Sequence, residues 1–274
     1  MQKISFMVLG HPRSGTNFLS AILRSHPDVS FITEPFSMHN GFIRLNFFKY
    51  WGEESYIQDI FHKDMRDSQA SVRFFAEFKK WLMSGNEEVR VFKETTFLMK
   101  LKWLKQYLPE LNIIYIQRDP KGVVISFKKS GLFLRWNYQE IFYRLSEESK
   151  IEHGLSQYAQ IIEETSLNNW IDVLTTLYYI ATNEARNNLE LFRHTNVVYE
   201  HLATNTLYAF AEIFNFLGLS ISAEVEKEIA ERCSETKGGI FSTFRNSRET
   251  CFRYKYLLTQ EENNLIETKM KRWT

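Results

Sequence analysis

A glycine-bracketed turn near the N-terminus has the residue types of a site for a phosphate-like anion. The segment GHPRSGTN (10–17) follows an apolar run and precedes a helical pattern. Glycines let the backbone curl so that N–H groups converge on an anion, and the following helix N-terminus adds partial positive charge. Arg13 supplies a planar guanidinium that matches phosphate. Further side-chain donors in the loop are Ser14, Thr16 and Asn17. Because Gly15 is followed by Thr16 and not by the lysine of the ATP-binding loop, this turn alone fits either an anion site or an ordinary strand–turn–helix junction.

A second basic segment, RDPKGVVIS (118–126), follows a later apolar run. Arg118 ends that run, Pro120 suits the first turn of a helix, and Ser126 falls two turns along it. Alone, the pattern favours an arginine that pairs with Asp119. Beside the first loop, it favours a second anion-binding segment.

Alternating short apolar runs and longer helical patterns predict the elements that position these loops. The predicted strands are 4–10, 29–33, 89–94, 112–118 and 195–200. The predicted helices are 16–25, 69–83, 98–107, 120–129, a long one near 156–192, 204–219 and 222–233. This alternation predicts an α/β fold of three layers with a central, mainly parallel β-sheet flanked by helices.

We expect residues 1–274 to form a single domain, because no repeat, low-complexity tract or linker divides the chain. Residues 36–68 and 130–157 fit the alternation poorly and are rich in aromatic and charged residues. In an open α/β sheet such insertions usually lie over the carboxyl ends of the strands, where ligands bind. They are interpreted as walls of an acceptor pocket, with core or dimer surface as alternatives.

The overall composition excludes several classes of partner. Lys and Arg total 34 against 33 Asp and Glu, so no global charge indicates nucleic acid or an anionic membrane. No apolar run approaches the length of a signal peptide core or a membrane span. Cys233 and Cys251 lack metal-ligand spacing and suit a reducing compartment. We therefore expect a cytoplasmic protein, and nothing in the sequence indicates a homo-oligomer.

Together, PRSGTN (12–17) and RDPKGVVIS (118–126) resemble the sulfotransferases that use 3′-phosphoadenylyl sulfate (PAPS). In that family a PRSGT or PKSGT loop holds the 5′-phosphosulfate, and an arginine with a serine eight residues later holds the 3′-phosphate. The resemblance implies a P-loop-NTPase-like fold and an enzyme that moves a sulfuryl group to a hydroxyl or amine of a small-molecule acceptor, such as a secondary metabolite. PAPS would be the donor and adenosine 3′,5′-bisphosphate (PAP) the product, with no metal expected.

The same resemblance assigns the nucleotide-binding residues. They are Arg13, Ser14, Gly15, Thr16, Asn17, Phe18, Arg118, Ser126, Tyr199 and Arg245. Tyr199 lies in VVYEHL (197–202), which is similar to a family segment whose tyrosine lies near the adenine. Phe18 stands where the family often has tryptophan. Arg245 is carried by STFRNSR (242–248), and Lys237-Gly238-Gly239 is a competing alignment for that basic segment.

The resemblance also implies catalytic roles. Arg13 and the loop N–H groups would stabilise the leaving 5′-phosphate, as donors do in an oxyanion hole. Lys93, in FKET (92–95), would be a second cation on the sulfuryl oxygens. Many members have a histidine base two residues after this lysine, but Thr95 stands there. The expected general base is therefore Glu34, which follows the second predicted strand. Two further candidates for the base are Glu94 and His11, the latter also suiting a solvent-facing position in the turn.

Two other function classes remain open from the sequence. A P-loop nucleotide kinase would need the missing loop lysine and a metal-binding aspartate at a strand end. A non-catalytic nucleotide-binding module would explain Thr95, but Arg13, Lys93 and Glu34 favour a working enzyme.

Overall fold

The computed structural model describes residues 4–36, 69–84, 88–135, 138–151, 155–234 and 250–273. Its centre is a five-stranded sheet in which every pairing is parallel. The strands are β1 (Ile4–Gly10), β2 (Val29–Thr33), β3 (Val89–Glu94), β4 (Asn112–Gln117) and β5 (Arg193–Val198). Their order in the sheet is β2-β3-β1-β4-β5, so β1 lies between β3 and β4. The predicted parallel α/β sheet is confirmed.

Helices connect the strands and cover both faces of the sheet. They are α1 (Thr16–Arg24), α2 (Gln69–Met83), α3 (Leu101–Tyr107), α4 (Pro120–Ser130), α5 (Leu132–Arg135), α6 (Tyr138–Ile151), α7 (Ala159–Glu163), α8 (Trp170–Asn188), α9 (Tyr199–Thr204), α10 (Thr206–Leu217), α11 (Ala223–Ser234), α12 (Tyr254–Leu257) and α13 (Gln260–Trp273). Short 3₁₀ turns lie at Ser156–Tyr158 and Leu189–Leu191.

Strand β1 shows why the chain forms three layers. Its residues Phe6 and Val8 pack with α1 and α10 on one face of the sheet, and Met7 and Leu9 pack with α2, α3 and α8 on the other. All four side chains are fully buried. Because successive strand residues point to opposite faces, an uninterrupted apolar run is what a strand covered by helices on both sides requires.

The prediction of one long helix near 156–192 is wrong in its extent. A 3₁₀ turn and α7 end at Glu163, and α8 starts only at Trp170. The break follows from Asn169, whose side chain accepts hydrogen bonds from the N–H groups of Ile171 and Asp172 and so caps a new helix.

Three further expectations concern the insertions, the cysteines and membrane spans. Residues 37–68, most of the first predicted insertion, lie outside the described residues; of the second, α5 and α6 are helical. Both cysteines are free thiols. In the described part of the chain, every helix is too short or too polar to cross a membrane.

Candidate functional site

The carboxyl ends of the parallel strands lie along one edge of the sheet. In the strand register Thr33 lies beside Lys93, and Gly10 lies beside Ile116. The candidate residues at this edge are His11–Gly15, Glu34, Lys93, Glu94, Arg118 and Tyr199. Because β1 is flanked by β3 and β4, the turn after β1 has neighbours on both sides. Open α/β sheets bind ligands at such a place, where the chain connections diverge.

The turn between β1 and α1 leaves helical N–H groups facing this edge. The N–H of Ser14 donates to the carbonyl of His11 (3.0 Å) and closes the turn. Gly15 takes the N-cap position of α1, so no side chain caps the first N–H groups of the helix. The Ser14 hydroxyl is buried without a hydrogen-bond partner among the described residues. A buried unpaired hydroxyl beside a helix N-terminus suits a bound anion.

Gly15 allows a close approach between this turn and the start of α9. Its φ of 98° lies in the left-handed region, and a Cβ there would come within 2.2 Å of Cδ2 of Tyr199. Tyr199 is 8% exposed, and the Arg118 guanidinium carbon lies 4.3 Å from its ring centroid. The structure thus shows that Tyr199 supports Arg118 through a cation–π contact. Its contact with the nucleotide base stays a prediction.

The two predicted anion-binding segments touch each other. Arg13 donates from Nε to the hydroxyl of Ser126 (2.9 Å), across 113 positions of sequence. Arg118 donates from Nη1 to the backbone carbonyl of Arg13 (3.0 Å). A Cβ on Gly122 would meet the Arg118 Nε at 2.7 Å, so a glycine in the first turns of α4 gives this arginine its space. Both segments thus form one cationic surface beside α1 and α4.

On the other side of β1, Lys93 connects α1 to Glu34. Its buried ammonium donates to Oδ1 of Asn17 (2.8 Å) and forms an ion pair with Oε1 of Glu34 (2.7 Å). An ammonium group has three donors, so one remains beyond these two contacts with the residues that the structure describes. The structure therefore brings the expected cation, the expected base and a predicted loop residue into one cluster.

Glu34 is fixed by its backbone as well as by its side chain. Its φ of 47° is left-handed, which is unusual for a residue other than glycine. The N–H of Glu34 donates to the carbonyl of Lys93 (2.8 Å) and holds this conformation. The carboxylate side chain is 36% exposed, so it can be reached by an acceptor molecule while its position is set by Lys93.

Glu94 lies behind this cluster and, unlike the Glu34 side chain, is buried. Its carboxyl group is 1% exposed, accepts the N–H of Phe36 (2.8 Å) and contacts the hydroxyl of Thr96 (3.1 Å). Burial raises the pKa of Glu94 to about 8. These contacts anchor the turn that carries Glu34. Both carboxyl oxygens of Glu94 thus accept hydrogen bonds from protein donors.

His11 is also buried, at 1% exposure, so the solvent-facing alternative for it is wrong. Nδ1 lies 2.9 Å from the carbonyl oxygen of Pro12, and the ring packs edge-to-face on Tyr178 at 5.0 Å. Burial lowers the pKa of His11 to about 4. The imidazole is therefore neutral near pH 7, and its contacts with Pro12 and Tyr178 support the loop.

Two predicted nucleotide contacts on α1 are buried. Thr16 is 4% exposed, and Phe18 is 7% exposed with its ring edge-to-face on Phe210 at 6.0 Å. The structure thus places Phe18 in the core beneath the sheet edge and not at an open surface. Arg245 and the competing Lys237-Gly238-Gly239 segment lie outside the described residues.

Sequence reasoning missed a group of residues that support Arg118 from behind. The Glu200 carboxylate accepts the backbone N–H of Asp119 (3.1 Å), and the Tyr178 hydroxyl donates to the Arg118 carbonyl. Burial raises the pKa of Glu200. The position of Glu200 directly after Tyr199 could have indicated that it lies at the site. Its partner, however, is the backbone N–H of Asp119, which no side-chain pattern indicates.

Comparison with known proteins identifies relatives of this arrangement. Residues 5–223 match the family model described as "Sulfotransferase family". Nodulation protein NoeE of Sinorhizobium fredii (strain NBRC 101917 / NGR234) is 28% identical over 129 residues, which are 45% of this chain and 30% of that protein. The chain thus matches less than a third of the length of that curated relative.

Solved structures share the fold at low sequence identity. The sulfotransferase domain from the curacin biosynthetic pathway is 15% identical, with a TM-score of 0.55 over 99% of this chain and 98% of that one. The sulfotransferase domain of the Synechococcus PCC 7002 olefin synthase is 15% identical, with a TM-score of 0.51 over 97% and 94%. Mouse sulfotransferase SULT7A1, solved with PAP, is 14% identical, with a TM-score of 0.51 over 100% and 85%.

Proposed function

The chain belongs to the sulfotransferase family, and on that premise we propose that it transfers a sulfuryl group from PAPS to a hydroxyl or amine of a small-molecule acceptor. The observation that carries the proposal is the contact between the β1–α1 loop and α4, where Arg13 meets Ser126. A nucleotide phosphorylated at both ends needs two anion sites near each other, and these segments would supply them.

The residues present fit such a nucleotide. The N–H groups at the start of α1 and the buried, unpaired Ser14 hydroxyl are suited to the oxygens at its 5′ end. Arg118 and Ser126 are suited to the 3′-phosphate, because a planar guanidinium and a hydroxyl both donate to phosphate oxygens. Tyr199 holds Arg118 in place from below.

Catalysis in this proposal is positioning and charge stabilisation. PAPS supplies an activated sulfuryl group, and its transfer, like phosphoryl transfer, runs in line through a loose transition state. The remaining N–H of Lys93 would bind an oxygen of the transferred group or of the leaving phosphate, where negative charge grows. Lys93 is already oriented for this by Asn17 and Glu34.

Glu34 is the proposed general base. Its carboxylate is the part of the Lys93 cluster that an acceptor can reach, since Glu94 is buried behind Phe36. Accepting the acceptor proton at Glu34 Oε1 or Oε2 places the new nucleophile next to Lys93. A positioned base of this kind typically contributes about 10²- to 10⁴-fold to the rate.

Ligand-dependent thermal unfolding separates the proposal from a kinase. PAP at about 100 times its Kd is expected to raise Tm by about 5 °C, whereas ATP with magnesium leaves Tm nearly unchanged. Labelled sulfate from PAPS should then appear on members of a panel of hydroxyl- and amine-bearing small molecules. Stabilisation by ATP–magnesium alone would contradict the proposal, and PAP binding without transfer to any acceptor would favour a non-catalytic module.

A further inference from the structure

We propose that Glu94 is a positioning residue, whose buried carboxyl group holds the turn that presents the base Glu34 to Lys93; this role rests on the proposed function. Glu94 is a buried titratable group at the end of β3 to which the proposed mechanism gives no part. Its carboxyl oxygens contact the N–H of Phe36 (2.8 Å) and the hydroxyl of Thr96 (3.1 Å). The first of these contacts reaches into the same turn as Glu34.

The turn from Glu34 to Phe36 crosses the end of β3 and is held on both faces of the sheet. Successive strand residues point to opposite faces, so Lys93 and Glu94 leave β3 on opposite sides. Glu34 pairs with the Lys93 ammonium (2.7 Å). Phe36 packs with Phe92, the strand residue on the Glu94 side, with ring centroids 6.3 Å apart. The position of Glu34 therefore depends on contacts that Phe36 makes on the opposite face.

Glu34 needs such a hold because its backbone conformation is unfavourable. Its φ of 47° is left-handed, and a residue with a Cβ keeps that conformation only where its surroundings fix it. Pro35 adds to the cost, because its ring favours an extended conformation in the residue before it. Without the contacts of the turn, Glu34 would relax towards an extended backbone and its carboxylate would move away from Lys93.

Every backbone donor of this turn is bound to β3. Pro35 has no N–H. The N–H of Glu34 donates to the carbonyl oxygen of Lys93 (2.8 Å), and the N–H of Phe36 donates to Oε1 of Glu94 (2.8 Å). The second bond needs a side-chain oxygen, so an apolar residue in place of Glu94 removes it. A misplacement of a catalytic group by about 1 Å can cost about 10²-fold in rate, which sets the loss in kcat to expect.

A glutamine at this position should preserve the hold. Burial raises the pKa of Glu94 to about 8, so the carboxyl group is neutral near pH 7 and an amide matches it in charge and shape. The amide oxygen can accept from the N–H of Phe36, and the amide nitrogen can donate to the hydroxyl of Thr96. Leucine has a similar volume but offers no acceptor. The two substitutions therefore separate a hold on Phe36 from the mere filling of space.

Sulfate transfer from labelled PAPS and calorimetric titration of PAP, both near pH 7, test the proposal. The proteins are the wild type, Glu94→Gln, Glu94→Leu, Glu34→Gln and the double variant Glu34→Gln/Glu94→Leu. Glu94→Leu should lower kcat by about 10- to 100-fold and change KM for PAPS and Kd for PAP by less than about threefold. Glu94→Gln should keep kcat within about threefold of the wild type. Adding Glu94→Leu to Glu34→Gln should lower kcat by less than about threefold further, because the position of residue 34 matters only while it can accept a proton.

Controls keep the outcomes separate. Glu88→Leu changes an exposed glutamate just before the other end of β3, and should alter neither kcat nor Kd appreciably. Glu94→Met, which also lacks a strong acceptor, takes the place of Glu94→Leu if the leucine variant does not fold.

Three results would overturn the inference. They are near-native kcat in Glu94→Leu, an equal loss from Glu94→Leu with and without Glu34→Gln, and a loss in Glu94→Gln as large as in Glu94→Leu. The second result would mean general damage to the site, and the third would make the Glu94 carboxyl itself the reacting group. A wild type that binds no PAP, or that transfers sulfate to no acceptor, would instead refute the proposed function itself.

Discussion

The buried carboxyl group of Glu94 makes the stability of this protein depend on pH in a direction opposite to that of most acidic residues. Glu94→Gln replaces the carboxyl by a neutral amide of nearly the same shape. The amide oxygen can still accept the N–H of Phe36, and the amide nitrogen can donate to the hydroxyl of Thr96. We therefore expect the variant to fold, to keep the turn at Glu34, and to be more stable than the wild type near neutral pH.

The magnitude follows from proton linkage. Burial raises the pKa of Glu94 from 4.5 to about 8. Between these values the folded state keeps a proton that the unfolded state has released, so the Glu94 contribution is full below the unfolded pKa and is lost as pH rises through the folded pKa. Relative to the wild type, Glu94→Gln should gain about 2 kcal/mol in the free energy of unfolding near pH 6 and about 4 kcal/mol near pH 8.

Urea unfolding of both proteins at a series of pH values between these limits measures the difference. His11, whose pKa burial lowers to about 4, works in the opposite sense at acidic pH, but it is present in both proteins and cancels. Glu88→Gln, at an exposed residue just before β3, is the matched control and should change the free energy of unfolding by less than about 0.5 kcal/mol. A Glu94→Gln gain that does not grow with pH, or a net loss near pH 8, would refute the reasoning.

Three further predictions concern the site itself. Gly15→Ala places a Cβ within 2.2 Å of Tyr199 at a left-handed φ, so it should cost about 2 kcal/mol or more in urea unfolding and weaken PAP in calorimetry; an unchanged variant would show that the loop and Tyr199 are not packed together. Lys93→Ala should lower kcat by about 10²-fold in a labelled-PAPS transfer assay, whereas the exposed Lys102→Ala should not; equal effects would remove Lys93 from catalysis. Glu34→Gln should lower kcat by at least about 10²-fold with little change in KM for PAPS, and near-native turnover would show that Glu34 is not the base.

The elements that sequence predicted well are those governed by local chemistry. β1 was found with its observed bounds because a strand covered on both faces is apolar almost throughout. The loop was found because its glycines have a required geometry. The interruption before α8 was missed because Asn169 starts a new helix inside a stretch whose apolar periodicity continues on both sides.

The contacts that sequence could not predict join residues far apart in the chain. The Arg13–Ser126 bond spans 113 positions and depends on how β1 and β4 pair. The resemblance assigned Arg13 to the 5′-phosphate and Ser126 to the 3′-phosphate, and it gave no contact between them. Glu94, directly after Lys93 in the sequence, was a further candidate for the base. Its burial depends on the turn at Phe36, which brings a backbone N–H over the carboxyl group.

The sheet order indicates that the catalytic residues and the nucleotide-binding residues contribute independently to kcat/KM. β1 lies between β3, which carries Lys93, and β4, which leads to Ser126. Substitutions that share no partner and lie well apart usually add within about 0.5 kcal/mol. The losses in kcat/KM from Lys93→Ala and Ser126→Ala should therefore add in the double variant, whereas those from Arg13→Ala and Ser126→Ala, which remove two groups in contact, should not. A coupling free energy above about 1 kcal/mol between Lys93 and Ser126 would show that the loop transmits strain across β1. It would contradict the inference that the two sides of β1 act independently.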